Sequence, residues 1–557
     1  MLPTAPEQPP RTSPEPAPPP PPTARPRRSA LYAAEAVVSV AAAALMVLLA
    51  RRIDVNPLDR IGQISGLAAL QLRFAVVAAL LLVLTVVTAR TRWTAHAPLA
   101  RRLAAATAAG LFSGLVAGAV LVALRGTSWG LNANGGDSGA LITWAHTLID
   151  TGTMQADYPP GWVHAIAWYS QLTDTPPEHS LKVLQILGTA LFGPVAYLTW
   201  RLLLTPVWAL GIGVVPATTL IDPYKPYTNL MLVVMIPVLL ALLRRLRRAG
   251  DTTWGRIALH AAGYGIALGL VFLVYSGWFV WSAPGVLLSA LVLFPWRTGR
   301  LKGLALLAIT AAVFVAVSSR HLFGLLTASG SVKDRYFYWD TWTEPTYLAM
   351  WRGDLPGNTG PWPPPGELGG VGLFTVLTLV GLATAIAVAR SRTVVITLTS
   401  VFAGAWLLRF HFGAQMYGAD AVQLWPRSTA ELLYCLLLLT GFAAYYGTRR
   451  LDAVTRVRTA LAAPSTGIGV LAALLLLIAS AGSSLGDRYM PRTDNSLGYL
   501  ATSAHLVKQP DGSCSAYAHT LGKGCFELSD PRFGETLLEL AELTPKRGEL
   551  PHPPPAG

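Results

Sequence analysis

The chain has 557 residues, of which 52% are hydrophobic and 13% charged, with a mean hydropathy of +0.46. A soluble globular chain carries roughly 25% charged residues, so a halved share set around long apolar blocks excludes an ordinary soluble domain and indicates the membrane class. The net charge of +14 does not indicate a nucleic-acid partner, because the arginines sit in clusters between apolar blocks, not as a stripe on a soluble domain.

Residues 1–28 are a proline-rich tail. Such a segment cannot bury enough apolar surface to offset its ordering entropy, so disorder or extended polyproline structure is expected. The apolar run from Ser29 to Ala50 is near spanning length and no small-residue cleavage site follows it. It reads as a start-transfer anchor, not a cleaved signal peptide.

A span needs about 20 apolar residues. Candidates fall near 30–50, 66–89, 103–124, 182–203, 206–221, 229–243, 257–274, 279–295, 302–318, 370–389, 394–409, 428–447 and 464–482, about thirteen in all. The expected fold class is therefore all-α and polytopic: a membrane domain over 29–482 between the tail and a small exported segment at 483–557.

Alternating the loops places Arg25–Arg28, Arg90–Arg102, Arg244–Arg248, Arg297–Lys302, Arg390–Arg392 and Arg449–Arg458 on one side. Short basic loops face the cytoplasm. The long segments 125–181, 319–369, 410–427 and the tail from Gly482 fall on the other side and carry the aromatic, acidic and proline-rich residues. The N-terminus is then cytoplasmic and the C-terminus extracytoplasmic. Cys514 and Cys525 lie eleven positions apart in the exported tail, where oxidation is possible, so a disulfide is expected, with two free thiols the alternative. Cys435 sits in an apolar helix and reads as a packing residue.

The first long outer segment holds two dense features. Asn132 to Gly139 (NANGGDSG) sets a carboxylate, Asp137, on a flexible polar turn after a span; its plainest reading is a solvated turn. Asp157-Tyr158-Pro159-Pro160-Gly161-Trp162 fixes the backbone with two prolines and allows a sharp turn at Gly161, with aromatics suited to the interface. The apolar run after it is too short to span, so it is expected to lie in the interface or to re-enter. Further outer loops carry Asp222 to Tyr227 (DPYKPY), Tyr275 to Trp278 (YSGW), Lys333 to Trp342, and a group of Arg409, His411, Gln415, Tyr417, Asp420 and Arg427. Each alone reads as an interfacial anchor. Together they suggest a pocket open to one face, since aromatics stack on sugar rings and Arg or Lys pairs with phosphate. No Walker loop, dinucleotide fingerprint or HExxH motif occurs, which argues against ATP, NAD and that class of zinc chemistry. Few acidic residues lie inside the spans, and no internal repeat suggests an inverted-repeat carrier.

Gly136-Asp137 in the first outer loop, followed by Tyr158-Pro159-Pro160-Gly161-Trp162 and Trp168, resembles the galactan arabinofuranosyltransferase family of actinobacteria, whose architecture is of the GT-C type. Arg60-Ile61-Gly62-Gln63 and the Asp222–Tyr227 loop fall in the same order, and Gly486-Asp487-Arg488-Tyr489 and Asp530-Pro531-Arg532-Phe533 resemble family elements more loosely. The resemblance covers roughly residues 50–450. The exported tail is shorter than the family's C-terminal domain, and the acidic loop reads GGDSG in place of an Asp-Gln run.

The resemblance implies a GT-C-like bundle that moves a sugar from a polyprenyl-phosphate donor, with arabinofuranose expected, to a cell-envelope glycan acceptor outside the plasma membrane. It implies inverting transfer with Asp137 as general base. Asp157, Tyr158, Pro160 and Trp162 would shape the sugar pocket with Tyr224, and Lys225, Arg335, Arg409 or Arg427 would face the phosphate. A monophosphate donor requires no cofactor, and a divalent metal is left open. A transferase for another polyprenyl-phosphate sugar such as mannose, a flippase for lipid-linked glycans, and a noncatalytic envelope scaffold are the rival readings.

Overall fold

The structure is a computed structural model, and it describes residues 28–59, 66–90, 96–133, 135–328, 335–336, 373–415, 418, 422–423, 425–451, 464–492, 496–522 and 524–543. The Arg60–Gln63 motif, the Lys333–Asp334 and Phe337–Trp342 parts of the aromatic loop, Tyr417 and Asp420 lie outside the described residues.

Among the described residues, ten helices are long and apolar enough to cross a membrane. In chain order the helices are α1 (Arg28–Arg51), α2 (Gly66–Arg90), α3 (Ala97–Ala123), α4 (Gly136–Thr151), α5 (Pro160–Thr173), α6 (Pro177–Trp200) and an interrupted α7 (Pro206–Ala217). There follow α8 (Pro226–Arg247), α9 (Trp254–Val274), α10 (Gly277–Leu293), α11 (Arg300–Thr327), α12 (Leu373–Ala389), α13 (Thr393–Ala414), α14 (Trp425–Leu451), α15 (Pro464–Arg488), α16 (Ser496–Leu506) and α17 (Pro531–Leu543). Three apolar helices are shorter: Pro206–Ala217, Gly277–Leu293 and Val376–Ala389. Helices α4 and α5 are not among the spanning candidates, and α5 leaves Trp168 and Leu172 exposed.

The expected span at 206–221 is broken. Its middle, Ala209–Val214, is a π-helix, flanked by Pro206 and Pro216. Pro216 has no N–H to donate to the preceding turn, so the ladder widens locally. Gly213 fits there because a Cβ at that position would lie 2.6 Å from the Trp200 ring.

The core is centred on α3, whose central stretch is 89% buried against 17% for α2. Its alanines and glycines are the cause. Gly110, Gly114 and Gly118 recur every four residues and so face one way. A Cβ on Gly110 would lie 2.0 Å from the Ser39 carbonyl oxygen, and one on Gly114 2.7 Å from that of Ala43. Close backbone approach of this kind supplies packing where lipid gives no hydrophobic drive between helices. Gly193 of α6 meets the Ala109 carbonyl in the same way, and Ser113 Oγ donates to Ala190 O at 2.7 Å.

The bundle has two chemically different ends. At one, Glu35 of α1 lies fully buried between Arg102 of α3 and Arg201 after α6; Arg244, Arg247, Arg248, Arg392 and Arg449 line the same end. Members of four of the expected arginine clusters, those at 90–102, 244–248, 390–392 and 449–458, therefore share one end, while Arg25–Arg27, Arg456 and Arg458 lie outside the described residues. At the other end, the 127–132 turn and the tail dock together. Thr127 Oγ1 donates to Ala504 O at 2.7 Å, Trp129 Nε1 to Lys508 O at 2.8 Å, and Asn132 N to Leu500 O at 2.7 Å. A disulfide joins Cys514 to Cys525, with Cα atoms 5.6 Å apart. A two-residue antiparallel pairing sets Arg335 opposite Gln423.

His505 pins the tail to α3. Its Nε2 faces the Ala123 carbonyl at 2.8 Å and must donate, so Nδ1 accepts from Ser515 Oγ at 2.8 Å. This is a neutral ring, and burial pulls its pKa down to about 4. A chain unfolded here would take a proton near pH 6.5. The contribution to stability is therefore complete above about 6.5 and is lost as pH falls towards 4. The purified protein is expected to melt at a lower temperature at pH 5 than at pH 7, and His505→Gln should remove most of that difference; an unchanged difference in the variant would assign it elsewhere.

Candidate functional site

The non-arginine end gathers most of the residues singled out from the sequence. Its frame is two loops held by one side chain: Gln185 of α6 accepts from Leu131 N at 2.9 Å and donates to Tyr224 O at 3.1 Å. The first loop turns through Asn132 and Ala133 at φ 65° and 40°, a left-handed conformation that non-glycine residues adopt at a cost of order 1–3 kcal/mol. Gly136 follows at φ 52° and opens α4. Asp137 thus stands in the first turn of a helix, where the unsatisfied N–H groups favour a negative charge.

The second loop is ordered by Asp222. Its Oδ1 accepts from Tyr224 N at 3.0 Å and from the Tyr489 hydroxyl at 2.9 Å. Burial raises the Asp222 pKa, against the lowering effect of those hydrogen bonds. The loop delivers Tyr224 and Lys225 to α4. The Tyr224 hydroxyl oxygen accepts from Ser138 N and Asn132 Nδ2, each at 3.3 Å, and Lys225 Nζ pairs with the Asp137 carboxylate. The Asp137 side chain is 47% exposed and that of Lys225 31%. Burial pulls the Lys225 pKa down to about 8, and the Arg427 guanidinium adds to the effect.

An aromatic wall adjoins this pair. Tyr158 packs on Trp144 with ring centroids 4.1 Å apart, and its hydroxyl meets that of Tyr227 at 3.1 Å. Trp162 stacks on Tyr227 at 5.0 Å, and Tyr227 meets Tyr275 edge-on at 6.3 Å. The Arg427 guanidinium lies 5.5 Å from the Tyr275 ring centroid. It also acts electrostatically on Tyr158, whose pKa burial raises. Trp162 Nε1 is buried and has no hydrogen-bond partner among the described residues. Glycines admit these contacts: a Cβ on Gly161 would lie 2.8 Å from Val274, and one on Gly188 2.8 Å from Pro226.

The expected residues do not all converge. Lys225 pairs with Asp137, Tyr224 meets the next residue, Ser138, Tyr158 and Trp162 meet through Tyr227, and Arg427 reaches the group through Tyr275. Pro160 opens α5, and its carbonyl faces His164 Nδ1 at 2.8 Å. Asp157 adjoins His321 of α11, whose Nδ1 meets the Ala156 carbonyl at 2.9 Å. Arg409 lies within the bundle, 2% exposed, with Nη1 donating to the Ser428 and Thr429 hydroxyls at 2.8 and 2.6 Å. For Arg335 the backbone position beside Gln423 is what the structure describes. Trp144, Gln185 and Glu431 were not singled out from the sequence. Trp144 lies seven residues after Asp137, on the same helix face. Gln185 and Glu431 are polar groups inside apolar helices, which is itself a signal; Glu431 Oε1 accepts from Ser282 Oγ at 2.6 Å.

Among the described residues, no group of three or more His, Cys, Asp or Glu is placed to hold a metal. No protein-family model matches the chain, and no curated protein matches it.

Proposed function

We propose that the chain is a GT-C-like membrane glycosyltransferase that moves arabinofuranose from a polyprenyl-phosphate donor to a cell-envelope glycan, at the end of the bundle opposite the arginines. The observation that carries this reading is the Asp137–Lys225 pair, a half-exposed carboxylate and a cation beside a wall of tyrosine and tryptophan. Aromatic faces suit a sugar ring, and a cation at headgroup depth suits the donor phosphate. The arginine end would face the cytoplasm. The chain enters α1 at that end, where Tyr32 donates to Leu198 O at 2.7 Å, and its tail docks at the other. The proposed topology counts the three shorter apolar helices as crossings beside the ten long ones, thirteen among the described residues.

In the transfer, Asp137 accepts the proton of the acceptor hydroxyl as that oxygen attacks the anomeric carbon from the face opposite the phosphate. The bond between that carbon and the phosphate oxygen breaks, its electron pair leaves with polyprenyl phosphate, and the anomeric configuration inverts. Lys225, drawn from Asp137 to the donor phosphate, stabilises the departing charge, with Arg427 behind it. Tyr158, Trp162 and Tyr227 hold the ring.

The test is release of polyprenyl phosphate from radiolabelled decaprenylphosphoryl arabinose by purified protein given a synthetic galactan. Acceptor-dependent release is expected. No release from this donor or from a mannosyl analogue would reject transfer, and lipid translocation would then be measured. Lys225 also predicts a pH dependence. It holds phosphate only while protonated, and its pKa is about 8. Donor affinity should fall as pH rises through about 8, and Lys225→Arg should flatten the fall, because guanidinium stays charged. Equal profiles in both proteins would take Lys225 out of phosphate binding.

A further inference from the structure

The arginine end encloses a cavity of about 1050 Å³. Five separate parts of the chain bring guanidinium groups to it. Arg102 and Arg201 come from the start of α3 and the end of α6, Arg244, Arg247 and Arg248 from the end of α8, Arg392 from the turn before α13, and Arg449 from the end of α14. Among the described residues that line it, none is acidic. Glu35, just behind, offsets one of these charges through its contacts with Arg102 and Arg201. The groups are also held in place. Arg392 and Arg449 lie over the rings of Tyr446 and Tyr445, at 5.7 and 4.7 Å from the centroids, and Arg247 Nη1 donates to Ser391 O at 2.6 Å. A general positive-inside belt requires only basic loops near the membrane surface; it does not require their convergence on one cavity. Leu203, Leu240, Val394 and Phe442 give the cavity apolar walls.

We infer that this cavity binds the phosphate-bearing headgroup of an anionic membrane lipid, its acyl chains running along the apolar walls. Guanidinium forks pair with phosphate oxygens two at a time, and basic pockets between spanning helices at a membrane surface suit such headgroups. A soluble phosphate compound has the same anionic chemistry without chains to use the walls. The site is at the opposite end from the proposed transfer chemistry and stands independently of it.

Native mass spectrometry of the full chain in neutral detergent tests this, with phosphatidylglycerol, phosphatidylcholine and inorganic pyrophosphate as probes. Wild type should retain phosphatidylglycerol at least tenfold more than phosphatidylcholine. The triple variant Arg244→Gln, Arg247→Gln, Arg392→Gln should lose that preference while its melting temperature without lipid stays near wild type. Equal retention of the two lipids by wild type would overturn the inference, as would an unchanged preference in the folded triple variant. Binding of pyrophosphate without phosphatidylglycerol would assign the cavity to a soluble ligand and overturn the lipid. Should the variant fail to fold, the wild-type comparison of the three probes decides.

Discussion

Asp137→Asn is expected to lower acceptor-dependent turnover by about 10²–10⁴-fold, the usual span for a general base, with donor binding retained. The amide has the shape of the carboxylate and keeps its place in the first turn of α4, but it cannot take the acceptor's proton. The side chain is 47% exposed and the Lys225 ammonium that loses its partner keeps 31% exposure, so water still reaches both and the fold should tolerate the exchange. The direction of the turnover change separates the base from a simpler role. If Asp137 were only the counter-ion of Lys225, its loss would free the ammonium for the donor phosphate, and turnover would hold or rise. Near-normal turnover in the variant, measured at saturating donor, would therefore remove Asp137 from the chemistry. In the proposed mechanism the ion pair has a role in the resting protein: a carboxylate bound to an ammonium is a poor base, and it would become a competent one once phosphate drew Lys225 away.

Much of the scaffold was legible in the sequence because a membrane reduces the reading to length, apolarity and charge. The apolar blocks at 66–89 and 229–243 are helices, Gly66–Arg90 and Pro226–Arg247, the first one residue longer than the block and the second three residues longer at its start and four at its end. The arginine clusters at 102, 244–248, 392 and 449 do meet at one end. The Pro-Pro-Gly-Trp segment, by contrast, is a helix start and not the sharp turn expected at Gly161, whose missing side chain instead lets α5 approach Val274. What the sequence concealed are contacts between residues far apart in the chain. Nothing near Asp222 announces that Tyr489, 267 positions on, donates to it. Nor does the loop composition distinguish Arg427, which reaches the aromatic wall, from Arg409, which α13 turns inward to the Ser428 and Thr429 hydroxyls. The break in α7 was hidden for another reason: Ala209–Val214 is apolar throughout, and hydropathy does not sense a change in helical pitch.

Glu35→Ala should destabilise the bundle by about 3–5 kcal/mol, the cost of leaving buried partners uncompensated. In sequence Glu35 is a single carboxylate in an apolar run. In the fold it is fully buried, Arg201 donates to it through Nε at 2.7 Å and Nη2 at 3.2 Å, and Arg102 pairs with it from α3. One side chain thus ties α1 to α3 and to the end of α6, where the glycine seam alone gives packing without direction. Glu35→Gln should cost less, because its amide oxygen still accepts from one guanidinium. The readout is the unfolding midpoint in detergent, and a wild-type midpoint in Glu35→Ala would show that solvent alone compensates Arg102 and Arg201. Phosphatidylglycerol adds a second criterion. Both arginines line the basic cavity, so a phosphate bound there can supply part of the missing negative charge. Added phosphatidylglycerol should therefore raise the midpoint of Glu35→Ala more than that of wild type, whereas phosphatidylcholine should raise neither selectively.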